Sequence, residues 1–473
     1  MNKRIYLLFI MFIFCFLYGC NTHDLEKVNK KIPTCTENGY TEHFKCIDEG
    51  CEYLEGYQEI PSLGHNIIHY EGKEATCISD GYTEYDYCLR CFETIGYEVI
   101  EKLGHNLVEV EGKASTPTEM GHSSYKKCDR CDYIEGLVFY PCELKINERY
   151  FVKKLDSNLY EAFMKIYNAS MNFTKQVDLD CSINKEQLTY LMNLLNYSCP
   201  ELIQINGDYT YAYTDNLVEY VRLTYILNQN EYNEKLAEIN DVIKDVCNKA
   251  GNLSDFDKEL YAYKYIIENT KYNKYDKHSG SVYGCLVNGA ARCEGYSKSF
   301  MLLMWSLGIE CLTITGEANE RHSWNIVNID GKYYMCDPTW DDLGENEAVF
   351  GLFNVDYNTF KNASHIADSF YLEEAESCVS LDKALSYING TYISKEKDVL
   401  TELNNIINNC INRNDRVIYI KVETNEQFNI LKNNVENVLK NYLNKHFNNW
   451  SYDSVNHGDG KTYMFKLTYS SPK

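Results

Sequence analysis

Hydrophobic positions fall into blocks of different period. Tyr296, Phe300, Leu303 and Leu307 recur at intervals of three and four, which predicts a helix that Gly308 stops. His322, Trp324 and Ile326 alternate with polar or small partners, as a strand does. Asp330-Gly331 then reads as a two-residue hairpin turn, with Tyr333 to Asp337 as the return strand. That loop makes Ile329 face Lys332, Trp324 face Asp337 and His322 face Thr339. His322 and Asp337 become diagonal neighbours on one face, about 7–8 Å apart at the backbone.

Elsewhere the pattern divides the chain into regions. Residues 147–250 read as helical, from the stripes Leu188, Leu191, Leu195 and Leu217, Val221, Tyr225, followed by a helix around Glu231 to Ala250. Ser254 with Asp257 resembles a helix N-cap, opening a helix that turns Leu260, Tyr263 and Ile267 inward. From about Leu381 the order is helix, strand, helix, strand. Val417 to Val422 and Lys461 to Tyr469 are strand-like, and Phe428, Leu431, Val435, Val438 and Tyr442 form a helical stripe. The expected organisation is an N-terminal segment 1–20, repeats at 32–145, a helical region at 147–250, a central domain at 251–375 and a small α/β module at 380–473.

The segment 1–20 has the form of a targeting signal. Asn2-Lys3-Arg4 precedes an apolar run, Ile5 to Leu17, too short to span a bilayer comfortably. It ends in Leu17-Tyr18-Gly19-Cys20, which resembles a bacterial lipoprotein box and implies that Cys20 becomes a lipid-modified mature N-terminus. Ordinary secretion with cleavage nearby is the alternative. Either way the body is expected outside the cytoplasm, and the lipid would tether it to the membrane face. The net charge of −23 argues against nucleic acid or an anionic lipid surface as partner.

Residues 32–142 repeat with a period of about 40. Leu63-Gly-His-Asn66 recurs as Leu103-Gly-His-Asn106, and Gly39-Tyr-Thr-Glu42 as Gly81-Tyr-Thr-Glu84. Units this short with few aliphatic side chains need a staple. Copy one offers Cys35, Cys46, Cys51 and His65, and copy two offers Cys77, Cys88, Cys91 and His105. Each is a three-thiolate, one-imidazole set suited to tetrahedral structural zinc. Copy three keeps Cys128 and Cys131 but has Pro117 and Lys145 at the other two positions, with His122 or Cys142 as substitutes. Disulfides, which exported chains allow, and plain packing remain alternatives.

Candidate chemistry concentrates in three short stretches: Arg292-Cys-Glu-Gly-Tyr-Ser-Lys-Ser-Phe300, His322-Ser-Trp-Asn325 and Cys336-Asp-Pro-Thr-Trp340. Cys293 opens the predicted helix, where unpaired amide N–H groups and the dipole favour thiolate and can cradle an oxyanion. Gly289, Ala290 and Ala291 before it are small enough for a substrate to approach the backbone. A lone buried cysteine is usually structural. The His322–Asp337 pair is what changes that reading, since a carboxylate there fixes the imidazole tautomer and stabilises its protonated form.

The order Cys, His, Asp, together with Tyr283-Gly-Cys-Leu-Val-Asn-Gly289 and the strand Glu310 to Thr315, resembles the transglutaminase-like superfamily, a papain-related group, over roughly residues 255–345. The resemblance implies an α+β, papain-like core: a nucleophile-bearing helix packed on an antiparallel sheet. It makes Cys293 the nucleophile, His322 the base and acid, and Asp337 the orienting carboxylate. It also places Tyr283 in the substrate cleft; Trp324 and Trp340 are aromatic candidates for its walls, and both also fit as core residues flanking the strand that bears His322. The implied function is an extracytoplasmic thiol enzyme acting on amide bonds of proteins or peptides, among them cell-wall or surface proteins, with no catalytic cofactor. Peptidase or amidase action is expected ahead of cross-linking. The alternative is a non-catalytic surface protein that uses this fold and the repeat arm for docking. A metal or redox protein built on the repeats is a third reading.

Overall fold

The computed structural model describes residues 23–342, 344, 350–413, 417–456 and 462–469. The lipoprotein-box sequence ending at Cys20, with the apolar run before it, lies outside the described residues. Among the described residues, no helix is long and apolar enough to cross a membrane. The chain forms two units, residues 1–109 with 126–135, and residues 110–125 with 136–473.

The first unit is built from short antiparallel strands. Leu25–Val28, His43–Cys46 and Leu54–Glu55 make one small sheet, and Ile67–Tyr70, Tyr85–Cys88 and Thr94–Ile95 make its copy. Its buried apolar residues are Cys35, Cys46, Cys77, Cys88 and Cys128. Aliphatic and aromatic side chains such as Ile32, Ile78 and Phe92 point outward. Thiols thus take the place of a hydrocarbon core in this unit.

The second unit opens with helix α1 (Ser157–Met171), strand β1 (Gln176–Asp178), helix α2 (Lys185–Ser198) and the hairpin β2 (Ile205–Thr214) and β3 (Leu217–Tyr225). Asp156 and Asn184 cap the two helices, each accepting from an amide N–H three residues on. The hairpin corrects the helical expectation for Leu217, Val221 and Tyr225. Strand β3 lies between β1 and β2 in an antiparallel sheet, and a register irregularity in the hairpin leaves Leu217 exposed while Val218, Val221 and Leu223 are buried. Helices α3 (Gln229–Ala250) and α4 (Asp255–Asn269) follow, the second capped by Ser254.

Next come β4 (Lys271–Tyr272), α5 (Val282–Leu286), β5 (Ala290–Ala291) and α6 (Cys293–Ser306). Gly308 ends α6 as expected: at φ +82° it occupies the left-handed position. The N–H of Ile309 returns to the Met304 carbonyl and that of Gly308 to Trp305, closing a Schellman turn. A four-stranded antiparallel sheet follows, from β6 (Cys311–Ala318), β7 (Glu320–Ile329), β8 (Lys332–Cys336) and β9 (His365–Ala367), in the order β8-β7-β6-β9. Asp330 and Gly331 both have positive φ, and Ile329 pairs with Lys332, the register expected from a two-residue turn.

This sheet is covered on both faces. Cys311, Val327, Ile329, Tyr334 and Cys336 pack into the core that α3, α4, α5 and α6 share. Leu312, Ile314, Trp324, Ile326 and Met335 pack into a second core with Phe163, Leu188, Leu191, Leu195 and Val221. Residues 147–225 are therefore the cover of the sheet's other face, and they share its core. The C-terminal part adds β10 (Tyr392–Ile393), α8 (Val399–Asn412), β11 (Val417–Val422), α9 (Asn425–His446), β12 (Trp450–Asn456) and β13 (Thr462–Tyr469), after the short helix α7 (Tyr357–Asn362). Its sheet runs β10-β11-β13-β12 and closes over a core of its own, with Leu403, Ile407, Leu431 and Leu439 at the centre.

Phe300 is fully buried in α6 and meets Tyr263 edge-on at 5.4 Å between centroids. Phe300→Ala is expected to cost about 3–5 kcal/mol, read as a lower urea midpoint at unchanged slope. A loss below about 1 kcal/mol would contradict this packing.

Candidate active site

Cys293 is the first residue of α6 and is partly exposed. The residue before it, Arg292, gives no side-chain cap to the helix. The helix N-terminus therefore offers its dipole to the thiol without a competing side-chain acceptor. The first turn of α6 is pinned to β7. Ser297 and Ser323 hydroxyls lie 2.9 Å apart, and Asn325 Nδ2 donates to the Ser297 carbonyl at 2.9 Å. These bonds, one turn on from Cys293, set the thiol beside His322, the neighbour of Ser323.

His322 is buried, and its Nε2 lies 2.7 Å from Asp337 Oδ2. With Nε2 committed to Asp337, Nδ1 is the nitrogen left to face Cys293, whose charge helps to raise the ring. Asp337 follows β8 and is wholly buried. Its Oδ1 accepts the amide N–H groups of Thr339 at 2.9 Å and Trp340 at 3.2 Å. Burial opposes the charge on His322, but Asp337 and Cys293 outweigh it and raise the imidazole to about 10. Burial likewise opposes the Asp337 carboxylate, yet His322 and His365 hold it well below the usual range.

His365 was not singled out by the sequence pattern. It is fully buried at the start of β9, with Nε2 3.0 Å from Asp337 Oδ2 and Nδ1 2.8 Å from the Ala363 carbonyl. Both nitrogens face oxygen atoms, which hold the ring from two sides. Asp337 thus sits between two imidazoles. His322, Asp337 and His365 also make a three-group cluster of metal-ligand type. Their 2.7 and 3.0 Å separations are hydrogen-bond lengths, shorter than the roughly 3.3 Å between ligand atoms on a tetrahedral ion bonded at about 2.0–2.1 Å.

The other expected site residues divide. Trp340 is partly exposed, with its ring 6.3 Å from His322 and 4.5 Å from His365. Trp324 is wholly buried against Phe360 and His365. It supports the two histidines from behind, so it cannot line a substrate cleft. Tyr283 is also buried, beneath Lys235, with its hydroxyl turned to Glu238 at 3.4 Å. A core tyrosine on α5 replaces the expected cleft residue. The small residues before Cys293 also serve packing. Ala290 and Ala291 pair in parallel with Lys271 and Tyr272, and a Cβ on Gly289 would come within 2.8 Å of the Asn269 carbonyl. The exposed ring that does neighbour the thiol is Tyr272, whose phenol is raised by burial and by Cys293. A polar cavity of about 320 Å³ adjoins the start of α6, lined by Lys274, Lys277, His278, Arg292, Glu294 and Lys298 among others.

Residues 240–338, which include Cys293, His322 and Asp337, match the family model described as the transglutaminase-like superfamily. The chain carries a transglutaminase-like domain over that span. A search of curated proteins found no match. Among solved structures, one described as a TGase is 14% identical with a TM-score of 0.21, covering 35% of this chain and 50% of that one. A candidate cysteine protease from Cytophaga hutchinsonii is 15% identical with a TM-score of 0.20, covering 28% of this chain and 61% of that one. His365 lies beyond the matched span of the transglutaminase-like domain.

The Cys/His clusters of the first unit can hold metal ions, but in a different grouping from the expected one. Cys35 and His65 of copy one meet Cys88 and Cys91 of copy two. Cys77 and His105 of copy two meet Cys128 and Cys131 of copy three. Cys46 and Cys51 of copy one lie with His23. His122 and Cys142, the substitutes expected for copy three, join no such cluster among the described residues. His122 bonds the Ser123 carbonyl, and Cys142 is buried in the core of the second unit.

The pair in the transglutaminase-like domain sets a pH window. His322 is raised, so its contribution to stability is complete below about pH 6.5 and is lost as pH rises through about 10. Asp337 is lowered, so its contribution is present above about pH 4 and is lost as pH falls through its depressed folded value. Any turnover that needs protonated His322 should therefore persist well into alkaline pH. Asp337→Asn is expected to move the alkaline limb of the pH–rate profile down by more than about one unit. An unmoved limb would show that Asp337 does not hold the imidazole proton.

Proposed function

We propose that this chain is a thiol enzyme acting on amide bonds of proteins or peptides, with Cys293 as nucleophile, His322 as base and acid, and Asp337 as the orienting carboxylate. The observation that carries the reading is the buried 2.7 Å His322–Asp337 bond beside a partly exposed thiol at a helix N-terminus. His322 holds the proton that the Cys293 thiol has given up, and hands it to the leaving amine as sulfur attacks the carbonyl carbon and the C–N bond breaks. Amide N–H groups at the start of α6 face the oxyanion in this scheme. A thioester remains. Water, deprotonated by His322, then attacks it and releases the acid and the free thiol.

Water is favoured over an amine as the acceptor. A transamidase must wall off the thioester and hold the amine. Of the three expected wall aromatics, Trp324 and Tyr283 are buried and Trp340 alone is partly exposed. The neighbouring cavity is lined by charged groups. In bulk, water at about 55 M outcompetes a millimolar amine that is not held in place. Sequence alone supports the location: outside the cytoplasm, lipid-anchored through Cys20, with cell-wall or surface proteins as substrates. The repeats hold structural zinc in this reading.

Cys293→Ala and His322→Ala are each expected to lower turnover by at least about 10³-fold with far-ultraviolet circular dichroism unchanged, and Asp337→Asn by less than either. Full activity in the Cys293 variant would sink the assignment. With a glutamine peptide and a labelled primary amine at millimolar concentration, released ammonia or peptide should exceed incorporated amine. Dominant incorporation would make the protein a cross-linking enzyme.

A further inference from the structure

We propose that the zinc ion of each four-ligand set in the repeat arm is shared between two successive repeats, so that the metal joins one repeat to the next. The proposal rests on the zinc reading above and goes beyond it in naming the ligands and what they connect. Two independent sites show the same geometry. Cys35 Sγ lies 3.7 Å from Cys88 Sγ, and Cys91 Sγ lies 3.4 Å from His65 Nδ1. One repeat further on, Cys77 Sγ lies 3.7 Å from Cys128 Sγ, and Cys131 Sγ lies 3.4 Å from His105 Nδ1.

These lengths fit the edges of a tetrahedron around zinc. With Zn–S of about 2.3 Å and Zn–N of about 2.0–2.1 Å, two sulfurs stand about 3.8 Å apart, and sulfur and nitrogen about 3.5 Å. They do not fit a disulfide, whose sulfurs lie about 2.05 Å apart. Amide N–H groups also point at the central thiols, from Arg90 to Cys88 at 3.4 Å and from Arg130 to Cys128 at 3.5 Å. Such bonds favour the thiolate form that a metal needs. Arg90 further ties the two repeats by donating to the Leu63 and Gly64 carbonyls, and Arg130 repeats the bond to Gly104.

The burial pattern shows what the ions would do. The buried apolar side chains of this unit are all cysteines, and all but Cys46 belong to the two four-ligand sets. Zinc at these points supplies the cohesion that a hydrocarbon core gives elsewhere, and it does so between repeats. The sharing also explains copy three. Its Cys128 and Cys131 complete the site that copy two begins, and Pro117 and Lys145 stand where the first half of a further site would be.

The test uses the full-length chain isolated with zinc, the double variant Cys88→Ser/Cys91→Ser, and its counterpart Cys128→Ser/Cys131→Ser. Each is treated with N-ethylmaleimide, and the labelled cysteines are identified by peptide mass spectrometry beside metal analysis. The first variant should lose one zinc and expose Cys35 to label while Cys77, Cys128 and Cys131 stay protected. The second should expose Cys77 and spare Cys35. If the first variant instead exposes Cys77 and leaves Cys35 protected, each ion is held within one repeat and the sharing is wrong. If the unaltered chain binds no zinc, the zinc reading itself fails, and with it this proposal.

Discussion

One buried carboxylate organises the candidate site. Asp337 has no exposed surface, yet it keeps its charge because His322, His365 and two backbone N–H groups surround it. A buried charge without such partners would cost several kcal/mol. Those partners come from β7, from β9 and from the turn after β8, so the charge is stable only when the sheet is assembled in the right register. The Asp330-Gly331 turn provides that register, and the Ser297, Ser323 and Asn325 contacts carry it to the helix that bears Cys293. The chemistry and the fold of this region depend on the same few bonds.

The order Cys293, His322, Asp337 was legible because its determinants are local. A two-residue turn fixes the pairing of every residue on either side, so His322 and Asp337 could be placed from sequence. Cys293 was marked by the apolar stripe behind it and by Gly308 at its end. His365 was not legible, since no spacing or periodicity links it to Asp337. Only the pairing of β9 with β6 brings it there. Leu217, Val221 and Tyr225 were misread because apolar positions four apart do not by themselves separate helix from strand, and in the strand an irregular register leaves Leu217 exposed while Val221 is buried. Tyr283 was marked as a cleft residue and Trp324 left between cleft and core, because an aromatic near a nucleophile suits either role and burial alone separates them.

The ligand sets of the arm show a different limit. Their residue types were evident, but nearness in sequence does not say which ligands share a site. The structure joins the first and last ligands of one repeat to the paired cysteines of the next. The same chain therefore uses cysteine in three ways. Paired with histidine in the arm, it is suited to metal. Inside the second unit, Cys199, Cys247, Cys285 and Cys311 are buried and burial raises their thiols, which keeps them unreactive. Cys293 alone among the described cysteines combines partial exposure with a helix start and the charge of His322 beside it.

The central claim is that Asp337 and His322 make Cys293 a reactive nucleophile. The most direct measurement is the rate of Cys293 alkylation by iodoacetamide at mildly acidic pH, followed by peptide mass spectrometry in the unaltered chain and in His322→Gln. The account predicts that Cys293 reacts at least about tenfold faster than an ordinary exposed thiol at that pH, and that His322→Gln removes the excess. A Cys293 that reacts like an ordinary thiol, with a rate indifferent to His322, would contradict it.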